Sequence, residues 1–364
     1  MIISVPKSTS VDILKLREIF NDTKFHLPKE WYSTDFSKTL DNLYDYYIDI
    51  LKKNNVNLEY LAEIRKICSS IVICIKEYHN GFPHIAYEKF SNIISALFKV
   101  PLGVYNESKS DKGFRFDKER LVLYRARNLS KSNLDITREI IFHVPFKMRH
   151  KVSTTRYSIS GHPSLYLGTS LELSMQESGA NFTDEGTVVS RFKINSIFNY
   201  ADDIVIDVLE LAIKPEDFLL KKKTDSEEGR LSHINLSIEE LGGRYLFWYP
   251  IIAACSYVRR FKKDPFASEY IIPQLLMQWV HDKYKKNKSL LGIRYFSAAT
   301  VHKSNLGYNY VFPTSNKMLS EEKQYCKKLA MSFELTKPIY TNKFKNIKEC
   351  EEFLNNDKDL KLIY

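Results

Sequence analysis

The sequence predicts an α+β protein, with a helical amino-terminal part followed by a part rich in short strands. Over residues 1–110, apolar side chains recur three or four positions apart, which is the spacing of a buried helix face. From Leu121 onward the apolar runs are shorter and richer in β-branched and aromatic residues, as strands are. A chain of 364 residues is long enough for two domains, or for one large domain with an extension.

The amino-terminal module, residues 1–110, is predicted to be a small helical bundle. Its predicted helices cover 40–51, 61–75 and 84–98. Gly81 and Pro83 end the second helix, because glycine suits a helix terminus and proline cannot continue a helix. The polar residues that follow are assigned as a linker, 111–120.

Residues 121–317 are predicted to form the β-rich domain, with two buried helices inside it. The predicted strands are LVLYRAR (121–127), IIFHVPF (140–146), TVVSRFKI (187–194), DIVIDVLEL (203–211), GIRYFSAA (292–299) and YNYVFP (308–313). The predicted buried helices are GRYLFWYPIIAACSYVRR (243–260) and YIIPQLLMQWVHDKY (270–284). A charged loop is expected at 221–230, and a lysine-rich helical extension at 318–364.

The charge and hydropathy of the sequence indicate whether the protein could bind polyanions, span a membrane or carry a signal peptide. The net charge of +10 is spread over separate clusters, at 221–223, 259–263 and 283–288. Such clusters are usually solvated, although they could also attract a polyanion or a phosphate-bearing molecule. No apolar run reaches the length of a membrane span, and the amino end lacks the pattern of a signal peptide.

The five cysteines indicate a reducing compartment. They are odd in number, scattered, and lack the CxxC spacing of zinc sites. The sequence therefore predicts a cytoplasmic protein with no metal.

The stretch RYSISGHPSLYLGTSLELSMQES (156–178) is the strongest candidate for a functional site. It is predicted to form a strand, a turn at 161–163, a second strand, and a helix that begins at Thr169 with Glu172 completing a capping box. This arrangement would gather Arg156, Tyr166 and Glu177, and a cation, a ring and a carboxylate together suit a charged, flat substrate. Ordinary roles stay open for all three, namely a strand-end salt bridge, a half-buried core tyrosine and a solvated helix face.

With these motifs placed, residues 121–315 resemble the RES-domain family. The family pattern of an Arg, a Tyr ten residues on and a Glu eleven further is matched by Arg156, Tyr166 and Glu177. An upstream Arg in a Leu-Tyr-Arg setting matches Arg125, and a downstream Ser matches Ser297 in GIRYFS. The segments FHVPF (142–146) and YIIPQ (270–274) also fit. Compact toxin members have Trp-Asn after the first Arg, where this chain has Tyr157-Ser158.

The amino-terminal module is similar to the HEPN-like helical segments that precede some RES domains. The Arg-and-His signature of an RNase is missing from it, because His79 and His84 have no arginine about five residues upstream. The chain thus looks like a longer, stand-alone member of the family.

The resemblance implies an ADP-ribosyltransferase-like fold with a mixed, largely antiparallel β core, and NAD+ as the substrate. It implies catalytic roles for Glu177, Arg156 and Tyr166, with Glu177 at the ribose, Arg156 at the pyrophosphate and Tyr166 at the nicotinamide or ribose. It implies substrate-binding roles for Arg125, Ser297 and Tyr157. His143 is expected to be a hydrogen-bonded structural histidine.

Three functions follow from this reading. The leading one is an NAD+ glycohydrolase or phosphorylase, toxin- or defence-like and restrained by an inhibitory antitoxin or controlled by an activating partner. The second is an ADP-ribosyltransferase with a protein or nucleic-acid acceptor. The third is a non-catalytic protein that binds nucleic acid or protein through its basic clusters. Dimerisation through the helical module is an open option, and no membrane partner is expected.

Overall fold

A computed structural model describes residues 3–6, 9–102, 121–129, 136–195, 206–219, 236–286, 290–299, 306–315 and 317–363. The predicted linker 111–120 and the charged loop 221–230 lie outside the described residues. The same holds for the side chains of 284–288, which belong to the predicted basic cluster 283–288. Helices and strands together confirm the predicted α+β class.

The described residues form nine α-helices and eight strands. The helices are α1 (Ile13–Phe20), α2 (Phe36–Lys53), α3 (Leu58–His79), α4 (Pro83–Leu97), α5 (Leu171–Ser178), α6 (Ile238–Ala254), α7 (Ile271–Lys286), α8 (Lys327–Ser332) and α9 (Ile347–Asn356). The strands are β1 (Leu123–Asn128), β2 (Ser164–Gly168), β3 (Thr187–Ile194), β4 (Ile206–Glu210), β5 (Leu290–Phe296), β6 (Tyr308–Pro313), β7 (Phe333–Leu335) and β8 (Ile339–Tyr340).

The helices of the amino-terminal part follow their sequence signals. The Asp35 side chain caps α2 by accepting hydrogen bonds from the N–H groups of Ser37 and Lys38, and Asn57 caps α3 in the same way. Pro83 opens α4 at the first helical position, where its missing N–H costs nothing. The helices predicted at 40–51, 61–75 and 84–98 are therefore confirmed.

The strands form one mixed sheet in the order β4-β5-β6-β2-β1-β3-β7, with β8 also pairing with β3. The β4–β5 pair is parallel and the other pairs are antiparallel, as the sequence predicted for the β core. The pairing is long on both sides of the sheet's centre: β1 shares six residue pairs with β3, and β2 shares five with β6. Between β1 and β2, however, a single pair joins Tyr124 to Gly168, so the sheet opens there.

The amino-terminal helices and the buried helices of the second part share one hydrophobic core. Core residues of α2 and α3, such as Tyr47 and Ile71, belong to the same buried cluster as Trp248 of α6 and Trp279 of α7. The indole N–H of Trp248 donates a hydrogen bond to the carbonyl of Val100, just after α4. The helices of residues 1–102 thus pack directly on α6 and α7.

Two predicted strands are absent. Residues 156–160 form a turn region with one isolated bridge between Ile159 and His162. Residues 140–146 form the end of a 3-10 helix followed by an irregular segment, because Pro145 removes a strand donor and the side chains of 141–143 are drawn into the core. At 141–143 the apolar pattern predicts burial correctly. At 156–160 the polar Arg156 and Ser158 are buried while Ile159 is half-buried, so there the pattern is wrong about burial as well as about the strand.

The start of α5 also differs from the prediction by one residue. The cap is Ser170, whose hydroxyl accepts a hydrogen bond from the N–H of Leu173, so no capping box with Glu172 forms. The Thr169 hydroxyl instead accepts the N–H of Tyr308, which ties the start of the helix to β6.

The carboxyl-terminal segment 318–364 contains helices and strands together. α8 and α9 lie in this segment, and β7 and β8 add to the edge of the sheet by pairing with β3. Arg191 of β3 fastens the end of α9, since its guanidinium donates to the carbonyls of Asn355 and Asp357. Among the described residues, no helix combines the length and the apolar character needed to cross a membrane.

Candidate active site

Glu177, in the last turn of α5, is held by donors from two strands. Its Oε1 accepts a hydrogen bond of 2.5 Å from the Ser297 hydroxyl, at the end of β5, and one of 2.9 Å from the Asn309 amide on β6. Both donors are buried, whereas the Glu177 side chain is exposed. Its Oε2 accepts no hydrogen bond from the described residues, so one oxygen is fixed and the other keeps its acceptor capacity.

The sheet positions this carboxylate through one row of residues that runs across four strands. In that row Tyr295 lies opposite Asn309, Asn309 opposite Gly168, and Gly168 opposite Tyr124. α5 lies directly over the row: a Cβ at Gly168 would stand 2.7 Å from the Ser174 hydroxyl oxygen. That hydroxyl donates to the carbonyl of Tyr124 at 2.9 Å. The absence of a side chain at Gly168 therefore lets the helix approach the sheet.

Arg156 lies beside the same strand end. Its guanidinium donates to the carbonyl of Cys255 at 3.0 Å and to that of Ala298, the residue after Ser297, at 3.3 Å. The Tyr270 ring lies 4.9 Å from the guanidinium carbon, in a cation–π contact. Arg156 is 9% exposed and forms no ion pair with a carboxylate of the described residues. The salt bridge considered from the sequence is thus not its role here.

Tyr166 is fixed by its hydroxyl rather than by packing alone. The hydroxyl shares a 2.7 Å hydrogen bond with that of Thr155, next to Arg156. The Gln274 amide of α7 donates to the carbonyl of Thr155 at 3.2 Å, which anchors this segment to the helix. Burial raises the pKa of Tyr166, so the phenol is a neutral hydrogen-bonding group in the physiological range.

Tyr295, which the sequence did not single out, lies at the centre of the cluster. Burial raises the pKa of its phenol, and the nearby Glu177 carboxylate and the phenols of Tyr166 and Tyr157 raise it further. The Arg156 guanidinium acts on it in the opposite direction. Glu177 and Arg156 are brought to one strand end, since Glu177 binds the Ser297 hydroxyl and Arg156 binds the carbonyl of the next residue, Ala298.

Arg125 lies where β1 and β2 part. It follows Tyr124, the residue of β1 that still pairs with β2, and its charge acts on Tyr166 across the opening. Burial, and to a smaller extent the nearby Arg127 guanidinium, lower the pKa of Arg125 to about 10. Its Nη1 atom is buried and has no hydrogen-bond partner among the described residues. Arg125 is therefore a cation with unused donor capacity.

Tyr157 is placed behind this region and not on its surface. It is 1% exposed, and its ring lies 4.7 Å from that of Tyr295 at an angle of 54°. Of the six predicted site residues, the structure joins Glu177 to Ser297 directly and sets Arg156 and Tyr166 beside them. It places Arg125 across the opening and Tyr157 in the supporting core.

His143 is a hydrogen-bonded structural residue, as the sequence predicted. Its Nδ1 lies 2.8 Å from the carbonyl of Val144 and its Nε2 lies 2.9 Å from the backbone N–H of Cys326. A carbonyl can only accept and an N–H can only donate, so the ring is neutral with its proton on Nδ1. Burial, and to a smaller extent the charge of Arg125, lower the pKa of His143 to about 3.

Asn309 is the functional candidate that sequence reasoning missed. The sequence pattern places this residue only in the strand YNYVFP. Asparagine is depleted in strands, and the Asn309 side chain is buried, at 4% exposed. A buried amide in a strand needs a hydrogen-bond partner, and this one has Glu177. In the described residues, no three His, Cys, Asp or Glu side chains are placed to hold a metal ion.

The chain is similar over 335 residues to a protein of Bacillus subtilis (strain 168) named "Putative toxin YopC". The two sequences are 28% identical, and the alignment covers 88% of this chain and 69% of the relative. No protein-family model and no solved structure matches the chain.

Proposed function

We propose that the protein is a toxin-like enzyme that consumes NAD+ by cleaving the bond between nicotinamide and ribose. The observation that carries the proposal is the Glu177 carboxylate, fixed at one oxygen by Ser297 and Asn309 and open at the other. Arg156 lies at the same strand end as Ser297, and Arg125 lies across the opening between β1 and β2; neither forms an ion pair with a carboxylate of the described residues. A fixed negative charge next to unpaired positive charge suits a substrate that carries both signs.

The chemistry required of Glu177 is electrostatic stabilisation and positioning. When the glycosidic C–N bond breaks, its electron pair leaves with nicotinamide and the ribose C1′ becomes oxocarbenium-like, as in glycoside hydrolysis. A carboxylate oxygen held near the ribose stabilises that positive charge and accepts a hydrogen bond from a ribose hydroxyl. Water or phosphate then adds to C1′, and water gives up a proton as it does so. Preorganised charge of this kind is worth about 3 kcal/mol of barrier.

The two arginines would hold the pyrophosphate. Guanidinium groups bind phosphate oxygens through paired N–H donors, and desolvated ones bind strongly because water does not compete. Arg156 keeps donors beyond those given to Cys255 and Ala298, and Arg125 has a buried Nη1 without a partner in the described part of the chain. The opening between β1 and β2 lies between Arg125 and Tyr166, and we assign the nucleotide to that opening.

The toxin-like part of the proposal rests on the relative. The relative is named "Putative toxin YopC", and this chain aligns with 69% of it. Loss of NAD+ would arrest the cell that makes the enzyme, which is what a toxin restrained by an antitoxin does. We therefore infer an inhibitory partner that blocks the opening next to Glu177.

The test is nicotinamide release from NAD+ by the purified protein, with and without phosphate, followed by chromatography. Wild-type protein should release nicotinamide, and the product should be ADP-ribose in water alone and its phosphate ester when phosphate is the acceptor. Glu177→Gln keeps the size of the side chain and removes the charge, so we expect the rate to fall at least about a hundredfold.

Glu172→Gln is the matched control, because it makes the same change on an exposed residue of the same helix. It should keep wild-type activity. Equal rates in wild-type and Glu177→Gln protein would overturn the proposal. Release of nicotinamide with ADP-ribose recovered on a macromolecule would replace hydrolysis with transfer.

A further inference from the structure

A basic loop next to the candidate site carries exposed aromatic rings. The loop RRFKKDPF (259–266) joins α6 to the short helix before α7, and it contains four cations and one carboxylate. Lys262 and Lys263 are exposed, and neither forms an ion pair with a carboxylate of the described residues. Phe261 is 50% exposed and Phe266 is 51% exposed. Both rings lie on one short basic loop, so aromatic and cationic side chains are exposed there together.

The loop is braced on both sides. The backbone N–H of Arg260 donates to the buried Glu269 at 2.9 Å, and its guanidinium donates to the carbonyl of Ser33. The same guanidinium lies 4.8 Å from the Phe261 ring and 5.1 Å from that of Trp31. The exposed rings and charges are therefore presented by a loop held in place from within the protein.

A third exposed ring lies next to the contact between Arg260 and Ser33. Tyr32, beside the Ser33 carbonyl that Arg260 binds, is 75% exposed. On the other side of the loop, the Phe266 ring stacks on Tyr78 at 6.4 Å and 17°. We call the set Tyr32, Arg259, Phe261, Lys262, Lys263 and Phe266 the Phe261 surface.

One residue connects the Phe261 surface to the candidate site. The Tyr270 ring lies 4.9 Å from the Arg156 guanidinium and 5.5 Å from that of Arg259. Arg259 of the Phe261 surface therefore lies one aromatic ring away from Arg156.

We propose that the Phe261 surface binds single-stranded nucleic acid. Proteins that bind single strands without sequence preference combine a basic track for the phosphates with rings on which bases stack, and both are present here. A duplex hides its base faces, so it could use the cations but not the rings. An acidic protein segment could also use the cations, yet it has no flat groups to match three exposed rings. The net charge of +10 favours association with a polyanion.

The test is fluorescence anisotropy with a labelled oligothymidine of about 12 nucleotides. It is done without NAD+ and also with the Glu177→Gln protein, so its outcome is independent of catalysis. Phe261→Ala should weaken binding about tenfold, because it removes one stacking ring. Lys262→Ala with Lys263→Ala should reduce the slope of log affinity against log salt by about 1.4, since each lost phosphate contact to a single strand accounts for about 0.7.

The control for charge is Lys345→Ala with Lys348→Ala, which removes two lysines at the start of α9. It should leave both affinity and salt slope unchanged. Unchanged binding by folded Phe261→Ala protein would overturn the proposal. So would equal weakening by the control pair, or equal affinity for a duplex or an oligoglutamate of similar length.

Discussion

At the scale of single residues, Asn309 is expected to set the orientation of Glu177. Asn309→Ala removes one of the two donors to Oε1 and leaves the Ser297 hydroxyl in place. A hydrogen bond to a charged group is worth about 1.5–3 kcal/mol, so kcat for NAD+ cleavage should fall roughly ten- to a hundredfold. The KM for NAD+ should change little, because the phosphate anchors are untouched. Steady-state kinetics of nicotinamide release measures both constants.

A double-mutant cycle separates this role from a general loss of structure. In the Glu177→Gln background, Asn309→Ala should have little further effect on the rate, since the charge that Asn309 orients is already gone. Two independent, multiplying losses would show that Asn309 acts elsewhere.

His143 should make the fold sensitive to acid. Its folded pKa of about 3 lies below the value of about 6.5 expected in the unfolded chain. Between these values the unfolded chain binds a proton that the folded protein does not, so His143's contribution is present above pH 6.5 and is lost as the pH falls toward 3. From pH 7 to 5 the free energy of unfolding should fall by about 2 kcal/mol from this residue. Urea unfolding at the two pH values measures the change.

His143→Gln provides the comparison, because an amide can both donate and accept but does not titrate in this range. The variant should be less stable at pH 7 and should lose less stability on going to pH 5. If the free energy of unfolding depended on pH in the same way for wild-type and His143→Gln protein, the acid sensitivity would come from other groups.

Residue-level prediction from the sequence selects single side chains, and the structure shows which of them contact one another. Glu177 and Ser297 were selected through a family resemblance, and they turn out to be hydrogen-bonded to each other across 120 positions of the chain. Asn309 was missed because its partner lies on another element, and neither periodicity nor spacing reports which strands become neighbours. A polar amide inside an apolar strand was the signal that could have flagged it.

At the scale of elements, the C-terminus of α5 is expected to be the weak point of the site. Gly179 follows the helix with φ of 65°, and the N–H of Ala180 closes the turn on the carbonyl of Met175. A Cβ at Gly179 would meet nothing within 4 Å, so only the backbone conformation opposes a side chain. Gly179→Ala should lower the free energy of unfolding by about 1 kcal/mol, and activity should drop because Glu177 lies two residues earlier.

Asn is the control substitution, since asparagine tolerates the left-handed region better than alanine does. Gly179→Asn should therefore be more stable than Gly179→Ala, measured by thermal unfolding. Equal stability of the two variants would show that the left-handed conformation is not what limits this position.

Element prediction found the long helices and several strands, but it assigned strands wrongly at 140–146 and 156–160. Helical spacing predicts α2 and α3, the apolar segments 243–260 and 270–284 predict α6 and α7, and YNYVFP predicts β6 to the residue. Residues 156–160 alternate like a strand, but their polar side chains turn inward: Arg156 donates to two carbonyls, and Ser158 bonds to the backbone of Thr155. These long-range and local hydrogen bonds override the alternation, and the sequence does not reveal them.

At the scale of the whole molecule, the amino-terminal helices pack on α6 and also supply it with a hydrogen-bond donor that it lacks. Pro250 lies inside α6 and has no N–H, so the carbonyl of Leu246 one turn earlier loses its helical donor. The Tyr47 hydroxyl of α2 donates to that carbonyl at 2.9 Å. A residue of the amino-terminal part thus satisfies a buried group that α6 cannot satisfy itself, which links the predicted module 1–110 to the rest of the fold.

Tyr47→Phe should therefore destabilise the protein by about 1–3 kcal/mol, because it leaves the buried Leu246 carbonyl without a donor. Tyr44→Phe is the matched comparison: the Tyr44 hydroxyl donates to the carbonyl of Pro250 at 2.7 Å, but the N–H of Ala254 can still reach that carbonyl within the helix. Both phenols are buried, so the two changes differ mainly in the acceptor left behind. Urea unfolding followed by both far-UV circular dichroism and tryptophan fluorescence should show the larger loss for Tyr47→Phe, in one transition for both probes. Equal losses for the two variants would mean that α2 does not supply the missing donor of α6. Separate transitions for the two probes would mean that the two parts of the molecule unfold independently.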